Sequence, residues 1–364
     1  MDLVQGIITL LLFIFILGVL VIVHELGHFI VARLAGVRVL EFGIGFPPRA
    51  RVLRDQGETI YTLNYLPIGG FVKLEGEDGG DAADPRSFSA KSLPTRLIIL
   101  VAGVTMNLAL AFVIFAGIAV SGDPTIGVRA GFVEPDSPAA TAGLVAGDVI
   151  ESVNGRYFSA FGPTSLLDEL RAKAGQTVVI GIRRPDGTVD QLTATLRPRA
   201  EVTKDRGALG ISQLTGRTTD VRLSHPLDAA IQLGVDRTFG ATRLIVDGLG
   251  ELATAIISRP TEPPPASGPV GIAIQIGDVF WQLGPIVTLF LAGVLSANLA
   301  VINILPLPPL DGGRMLVLVL KSLFGARLSM RVERLTYVVG FAFLFGFLIW
   351  VTGFDVLRSL GLVE

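Results

Sequence analysis

Val19-Leu20-Val21-Ile22-Val23-His24-Glu25-Leu26-Gly27-His28-Phe29-Ile30 places two histidines and a glutamate inside an apolar run long enough to cross a bilayer. Ionisable side chains are costly in hydrocarbon, so their presence demands a functional account. On a helix, residues four apart share a face, so His24 and His28 can reach one ion. The spacing His-Glu-x-x-His is that of a zinc site with an acid beside it. The apolar run extends from Ile7 to Leu34, and about 20 residues at roughly 1.5 Å each cross the hydrocarbon core. The motif lies toward the C-terminal end of that span, near one membrane face. Met1 to Gly6 holds no basic residue, and no small-residue cleavage site precedes the motif. The run therefore reads as a retained first span and not as a signal peptide.

The whole chain fits a membrane setting. Of its 364 residues, 50% are hydrophobic and 17% charged, against roughly 25% charged in soluble domains. A net charge of −2 gives no reason to expect nucleic acid. Cysteine is absent, which excludes disulfides and thiolate ligands. Any metal must then be held by His, Asp or Glu, and the only histidines are His24, His28 and His225.

Three more apolar runs follow: Leu97 to Val120, Leu283 to Leu305, and Tyr337 to Val351 with its flanks. Met106-Asn107 interrupts the second, where Ala102, Gly103 and Ala109 suit close helix packing. Asn298 and Asn303 lie in the third, which ends in Pro306-Leu307-Pro308-Pro309-Leu310-Asp311-Gly312-Gly313. The prolines should stop the helix and leave irregular backbone, tolerated only beside protein or a watery cavity. Basic residues crowd the loops between spans one and two and between spans three and four, which predicts that both loops are cytoplasmic. His24-Glu25 and Asp311 then lie at cytoplasmic ends of spans, at one depth. Asp311 is the best candidate for a third metal ligand, with glycines beside it that permit close backbone approach. Glu25, next to His24, is the candidate general base.

The segments between spans differ in character. Strand-like runs at Arg51 to Leu53 and Thr59 to Leu66 are joined by Arg54-Asp55-Gln56-Gly57, a hairpin turn. This reads either as a surface hairpin or as an edge strand that pairs with an extended peptide. Glu75 to Asp84 reads as a mobile acidic loop. Thr125 to Pro198 reads as a soluble domain, with a helix at Ser165 to Lys173 and strands at Thr177 to Ile182 and Val189 to Leu196 around a turn. Ala208 to Ile211 reads as a strand returning to the membrane, Pro226 to Ile257 as an amphipathic surface helix, and Ser258 to Ser267 as a proline-rich linker. His225 reads as structural.

Two resemblances sharpen these expectations. Ser137-Pro138-Ala139, Ala142-Gly143-Leu144, Gly147-Asp148-Val149-Ile150 and Asn154-Gly155 resemble, in order, a bacterial PDZ domain. Such a domain implies binding of a peptide end beside an edge strand. His24-Glu25-Leu26-Gly27-His28, with Asn303, Pro306 and Asp311-Gly312-Gly313, resembles the site-2 protease family, in its regulator-of-sigma-E branch. One PDZ-like unit is present where several relatives have two. The resemblance implies zinc held by His24, His28 and Asp311, with Glu25 as the catalytic acid/base. It implies that Asn303, and Asn298, hold substrate backbone. The stretch Pro67-Ile68-Gly69-Gly70-Phe71 is similar to the family's membrane-reentrant β segment, which makes Gly69 and Gly70 substrate-binding candidates. The implied substrates are single-span membrane proteins such as an anti-sigma factor, or remnant signal peptides. The implied setting is the bacterial inner membrane, with both termini and the PDZ-like domain outside the cytoplasm.

The expected architecture is a polytopic α-helical membrane protein with four transmembrane helices, a membrane-associated β-hairpin region and an inserted β-rich PDZ-like domain. Its expected parts are residues 1–36, 37–94, 95–121, 125–200, 201–280, 281–313 and 314–364. Two other readings of the intramembrane His and Asp stay open: a metal-ion transporter, and a PDZ-bearing scaffold with a structural metal. Asn298 and Asn303 read equally well as helix-helix hydrogen-bond partners.

Overall fold

In chain order, a long helix α1 (Leu3–Leu34) leads into a hairpin of β1 (Val39–Arg54) and β2 (Ile60–Leu74), then α2 (Leu93–Ser121). A β-rich stretch follows: β3 (Asp123–Arg129), β4 (Phe132–Val133), α3 (Pro138–Thr141), β5 (Val149–Val153), β6 (Arg156–Tyr157), α4 (Leu166–Ala172), β7 (Thr177–Arg183), β8 (Val189–Thr195), β9 (Ile211–Ser212) and β10 (Thr215–Leu223). Five helices complete the chain: α5 (Leu227–Ser258), α6 (Pro269–Leu283), α7 (Pro285–Ile304), α8 (Asp311–Phe324) and α9 (Met330–Ser359). The structure is a computed structural model describing residues 3–55, 57–77, 84–203, 206–259, 262–325 and 330–363. Gln56 of the expected turn, most of the expected acidic loop and two residues of the proline-rich linker lie outside the described residues.

Among the described residues, four helical segments are long and apolar enough to cross a membrane: α1, α2, α7 and the Leu335–Ser359 part of α9. α1 leaves Leu3, Val4, Leu10, Leu11 and Phe15 exposed, and α9 exposes Val338, Phe341, Phe343 and Ile349. Large apolar side chains all round a helix are at home in lipid. The third apolar run begins later than its hydropathy suggests. α6 ends at Leu283, Gly284 takes a left-handed φ of +88°, and Pro285 opens α7, the usual Gly-stop and Pro-start pairing.

The described chain divides into two units, residues 1–115, 234–277 and 291–364, and residues 116–233 and 278–290. In the first, α1 and α2 come into backbone contact because a Cβ at Gly27 would collide with the Ala102 carbonyl. Ile16 and Leu20 of α1 bury against Ile276 of α6 and Ala292 of α7. The Asp355 carboxylate of α9 accepts from Gly268 N at 3.2 Å and Gly271 N at 2.8 Å, capping the start of α6.

β1 and β2 run further than their apolar pattern suggests. Glu41, Phe42, Gly43 and Ile44 each have two partners, one in residues 60–63 and one in 70–73. The first half of β1 therefore lies between the two halves of β2, and residues 70–74 form an edge. Glu41 is buried under Arg49 and Thr62, both hydrogen-bonded to its carboxylate.

The second unit holds a sheet of order β10-β3-β5-β7-β8, with β6 on β5, and a separate β4-β9 pair. Ile150, Val153, Val178, Ile180, Ile182 and Leu196 form its core with Leu166 and Leu170 of α4. Ser165 and Asp168 cap α4 reciprocally, which satisfies two amides at its start. Of the expected strand Ala208 to Ile211, Ala208 and Leu209 are buried core residues outside any strand, Ile211 opens β9, and the longer strand that follows is β10.

Candidate metal centre

α1 presents His24 and His28 one turn apart, and both are buried. Asp311 arrives from a different part of the chain. Leu310 caps α8 in extended conformation, so Asp311 is its first helical residue. Gly312 and Gly313 lie against the backbone of residues 304–308, where a Cβ on either would collide with main-chain atoms. The two glycines therefore let α8 fold back closely on the end of α7 and carry Asp311 to the histidines.

His24 Nε2 lies 2.9 Å from Asp311 Oδ2 and 3.2 Å from His28 Nε2, and His28 Nε2 lies 3.3 Å from the same carboxylate oxygen. His28 Nδ1 sits 2.8 Å from the Ile99 carbonyl. Only an N–H can bond a carbonyl, so the proton of a neutral His28 is on Nδ1 and the Nε2 lone pair is free. Nitrogen lone pairs and a carboxylate oxygen turned on one another repel unless a cation lies among them. Tetrahedral zinc, with bonds of about 2.0–2.1 Å, separates its ligand atoms by roughly 3.3 Å. The separations and the nitrogen–oxygen donor set fit zinc. Among the described residues this is the one such cluster of three.

α2 makes room for it. A Cβ on Gly103 would stand 2.5 Å from His28 Nε2 and 2.7 Å from His24 Nε2, so only glycine leaves the space between the rings open.

The cluster opens into a cavity of about 410 Å³ lined by Val21, Glu25, Phe46, Gly70, Phe71, Asn107, Asn303 and Arg314 among others. The structure thus brings Glu25, Gly70 and Asn303 to the same cavity as His24, His28 and Asp311. A Cβ on Gly70 would lie 3.7 Å from Glu25 Cγ, so the edge strand runs beside the acid. Asn298 does not line this cavity: it is five residues before Asn303, about 140° away on a helix, whereas Leu299, one turn before, does line it. Gly69 also stands outside it, at a φ of +102° under the Phe46 ring. His225 belongs to the β-rich unit, with Nε2 3.6 Å from Asp123 Oδ2.

Sequence reasoning did not assign four members of this site. Ile99 acts through its carbonyl, which no side-chain pattern reveals. Gly103 and Asn107 were visible only as a small residue and an interruption in span two. Arg314 pairs with Glu77 at the cavity wall. Burial lowers its pKa, but the Glu77 charge and hydrogen bond outweigh that and keep it positive.

The profile of peptidase family M50 matches residues 12–347. A Clostridium perfringens protein with a provisional zinc metalloprotease name is 32% identical over 341 residues, covering 93% of this chain and 95% of its own. The zinc metalloprotease RasP of Shouchella clausii is 30% identical over 429 aligned residues, covering 96% of this chain and 98% of its own. The regulator of sigma-W protease RasP of Bacillus subtilis is 27% identical over 432, with 96% and 98% covered.

Proposed function

The chain belongs to peptidase family M50 and is an intramembrane zinc metalloprotease, and on that premise we propose that His24, His28 and Asp311 hold the zinc and Glu25 moves the protons. The observation that carries this reading is the convergence of three ligand atoms, 2.9–3.3 Å apart, beside a second acidic residue, Glu25, in one cavity. Zinc in such a site polarises the scissile carbonyl and lowers the pKa of a water. Glu25 takes a proton from the water as its oxygen bonds the carbonyl carbon. It then delivers that proton to the amine nitrogen as the carbon–nitrogen bond breaks.

A transmembrane substrate arrives as a helix with its backbone groups already paired, and it must unwind before its peptide bond is accessible. Residues 70–74 offer an edge for the unwound segment, since main-chain pairing holds an extended peptide without regard to its side chains. Gly70 keeps that edge close to Glu25. Asn303, which lines the same cavity, supplies an amide for the substrate backbone.

The substrate class is single-span membrane proteins whose outer domain has already been removed. The name of the Bacillus subtilis relative, a regulator of sigma-W protease, supports an anti-sigma factor among them; remnant signal peptides fit the same channel. The β-rich unit at residues 125–200 serves as a PDZ-like gate, by bulk or by binding the new peptide end. The loop charges favour an orientation with termini and PDZ-like unit outside the cytoplasm and the cut near the cytoplasmic face, and the bacterial relatives favour the inner membrane.

The test is cleavage of a single-span substrate by purified full-length protein. Glu25→Gln is expected to bind one zinc as the parent does and to lose cleavage by at least about 100-fold. Cleavage at the parent rate by that variant would refute the proposed role of Glu25.

A further inference from the structure

A histidine that binds metal through one ring nitrogen needs a partner for the N–H of the other, and that partner fixes both tautomer and ring plane. His28 has one: Nδ1 bonds the Ile99 carbonyl at 2.8 Å, which leaves Nε2 for the cluster. His24 also turns Nε2 to the cluster, so its proton belongs on Nδ1. The polar group at that nitrogen is the side-chain amide of Asn107, 3.4 Å away.

Asn107 is fully buried. In the amide's present orientation Nδ2 faces His24 Nδ1, so two donors meet, and Oδ1 is buried without a partner. The two ends of an amide are alike in shape, and their assignment follows from the hydrogen bonds they make. Turning the amide over replaces the donor–donor meeting with a hydrogen bond, Oδ1 accepting from His24 Nδ1–H, and sets Nδ2 where Oδ1 now stands unpaired. The backbone at this position is pinned independently, because Ser296 Oγ donates to the Asn107 carbonyl at 2.8 Å. Ile99, Gly103 and Asn107 are successive members of one face of α2, four residues apart. One stripe of a single helix thus supplies an acceptor for each imidazole and the gap between them.

We propose that Asn107 is a positioning residue that fixes the tautomer and plane of the His24 ring by accepting its Nδ1–H through Oδ1. This rests on the reading of His24 as a zinc ligand. A residue that served only as helix-packing glue would affect the fold and leave metal affinity alone.

The experiment uses the full-length protein in detergent, with zinc affinity measured by chelator competition and cobalt(II) absorption reporting the ligand field. Asn107→Leu removes the acceptor and is expected to weaken zinc binding about 10–100-fold. Asn107→Asp keeps an acceptor on His24 Nδ1–H and is expected to bind zinc within about threefold of the parent, with the parent cobalt spectrum. Parent affinity in Asn107→Leu overturns the proposal, as does an Asn107→Asp variant that binds weakly; the second arm decides the matter alone should the leucine variant fail to fold. His24→Ala separates this from the site reading: parent zinc affinity there removes His24 as a ligand, whereas lost affinity there with no effect at Asn107 removes only the role of Asn107.

Discussion

Gly103→Ala adds one methyl group and should empty the metal site. The new Cβ would stand 2.5 Å from His28 Nε2 and 2.7 Å from His24 Nε2, where nonbonded contacts settle at about 3.5 Å or more. Relief requires the rings or α2 to move by roughly 1 Å, while a metal site keeps its ligand distances within about 0.2 Å. α2 has little freedom to give, because Gly27 holds α1 against the Ala102 backbone on the same seam. Overpacking of that kind costs about 1–3 kcal/mol. Helix propensity alone would favour alanine over glycine by about 1 kcal/mol, so a loss marks the collision and not the helix. We expect zinc affinity to fall about 5–150-fold, the affinity equivalent of that 1–3 kcal/mol, and cleavage to fall with it. The assay is zinc content after dialysis against buffered zinc, with Gly117→Ala as control, since a Cβ there meets nothing within 4 Å. A Gly103→Ala protein that binds one zinc with parent affinity would refute the reasoning.

Three other outcomes follow from named contacts. Asp355→Ala strands two backbone N–H groups at the start of α6, at about 1–3 kcal/mol each; a lowered Tm with zinc retained is expected, and an unchanged Tm would count against the cap. Asn303→Leu should retain zinc and lose about tenfold in cleavage, the value of one hydrogen bond; parent activity would remove Asn303 from the substrate site. Burial raises the Glu41 carboxyl, but hydrogen bonds from Arg49 and Thr62 with the Arg49 charge outweigh it and lower its pKa below 4.5. A carboxyl lowered on folding stabilises above its unfolded value, and that contribution is lost as pH falls through the folded value. Limited proteolysis of the β1–β2 hairpin should therefore increase as pH drops below about 4.5, and this acid step should shrink in Arg49→Ala, which lacks the main cause of the lowered value; an acid step of parent size in that variant would contradict the sign.

What the sequence makes legible is whatever lipid makes expensive. Polar groups in apolar runs single out His24, Glu25, His28 and Asp311, and apolar length marks the four candidate spans. Elements whose reason is local contact stay hidden. Gly43 and Gly69 suppress the strand pattern of β1 and β2, yet they are there because the Phe71 and Phe46 rings lie on them. Pro306 to Pro309 read as irregular backbone, and they do form the turn, but Asp311 then opens a helix that the same prolines conceal. β10 is rich in threonine and arginine, so its apolar alternation is too weak to outweigh the nearby Ala208-Leu209. The acceptor for His28 is a main-chain carbonyl, which has no signature at all. Asn107 had one, an amide in an apolar run, but its use depends on which atom faces His24.

The central claim is that the third ligand is Asp311, because His24 and His28 are the only histidines in the cluster. The most direct measurement is zinc stoichiometry and affinity of purified Asp311→Asn beside the parent. The account predicts one tightly held zinc in the parent and binding weakened at least about 100-fold in the variant, with loss of cleavage. One zinc held at parent affinity by Asp311→Asn would contradict it.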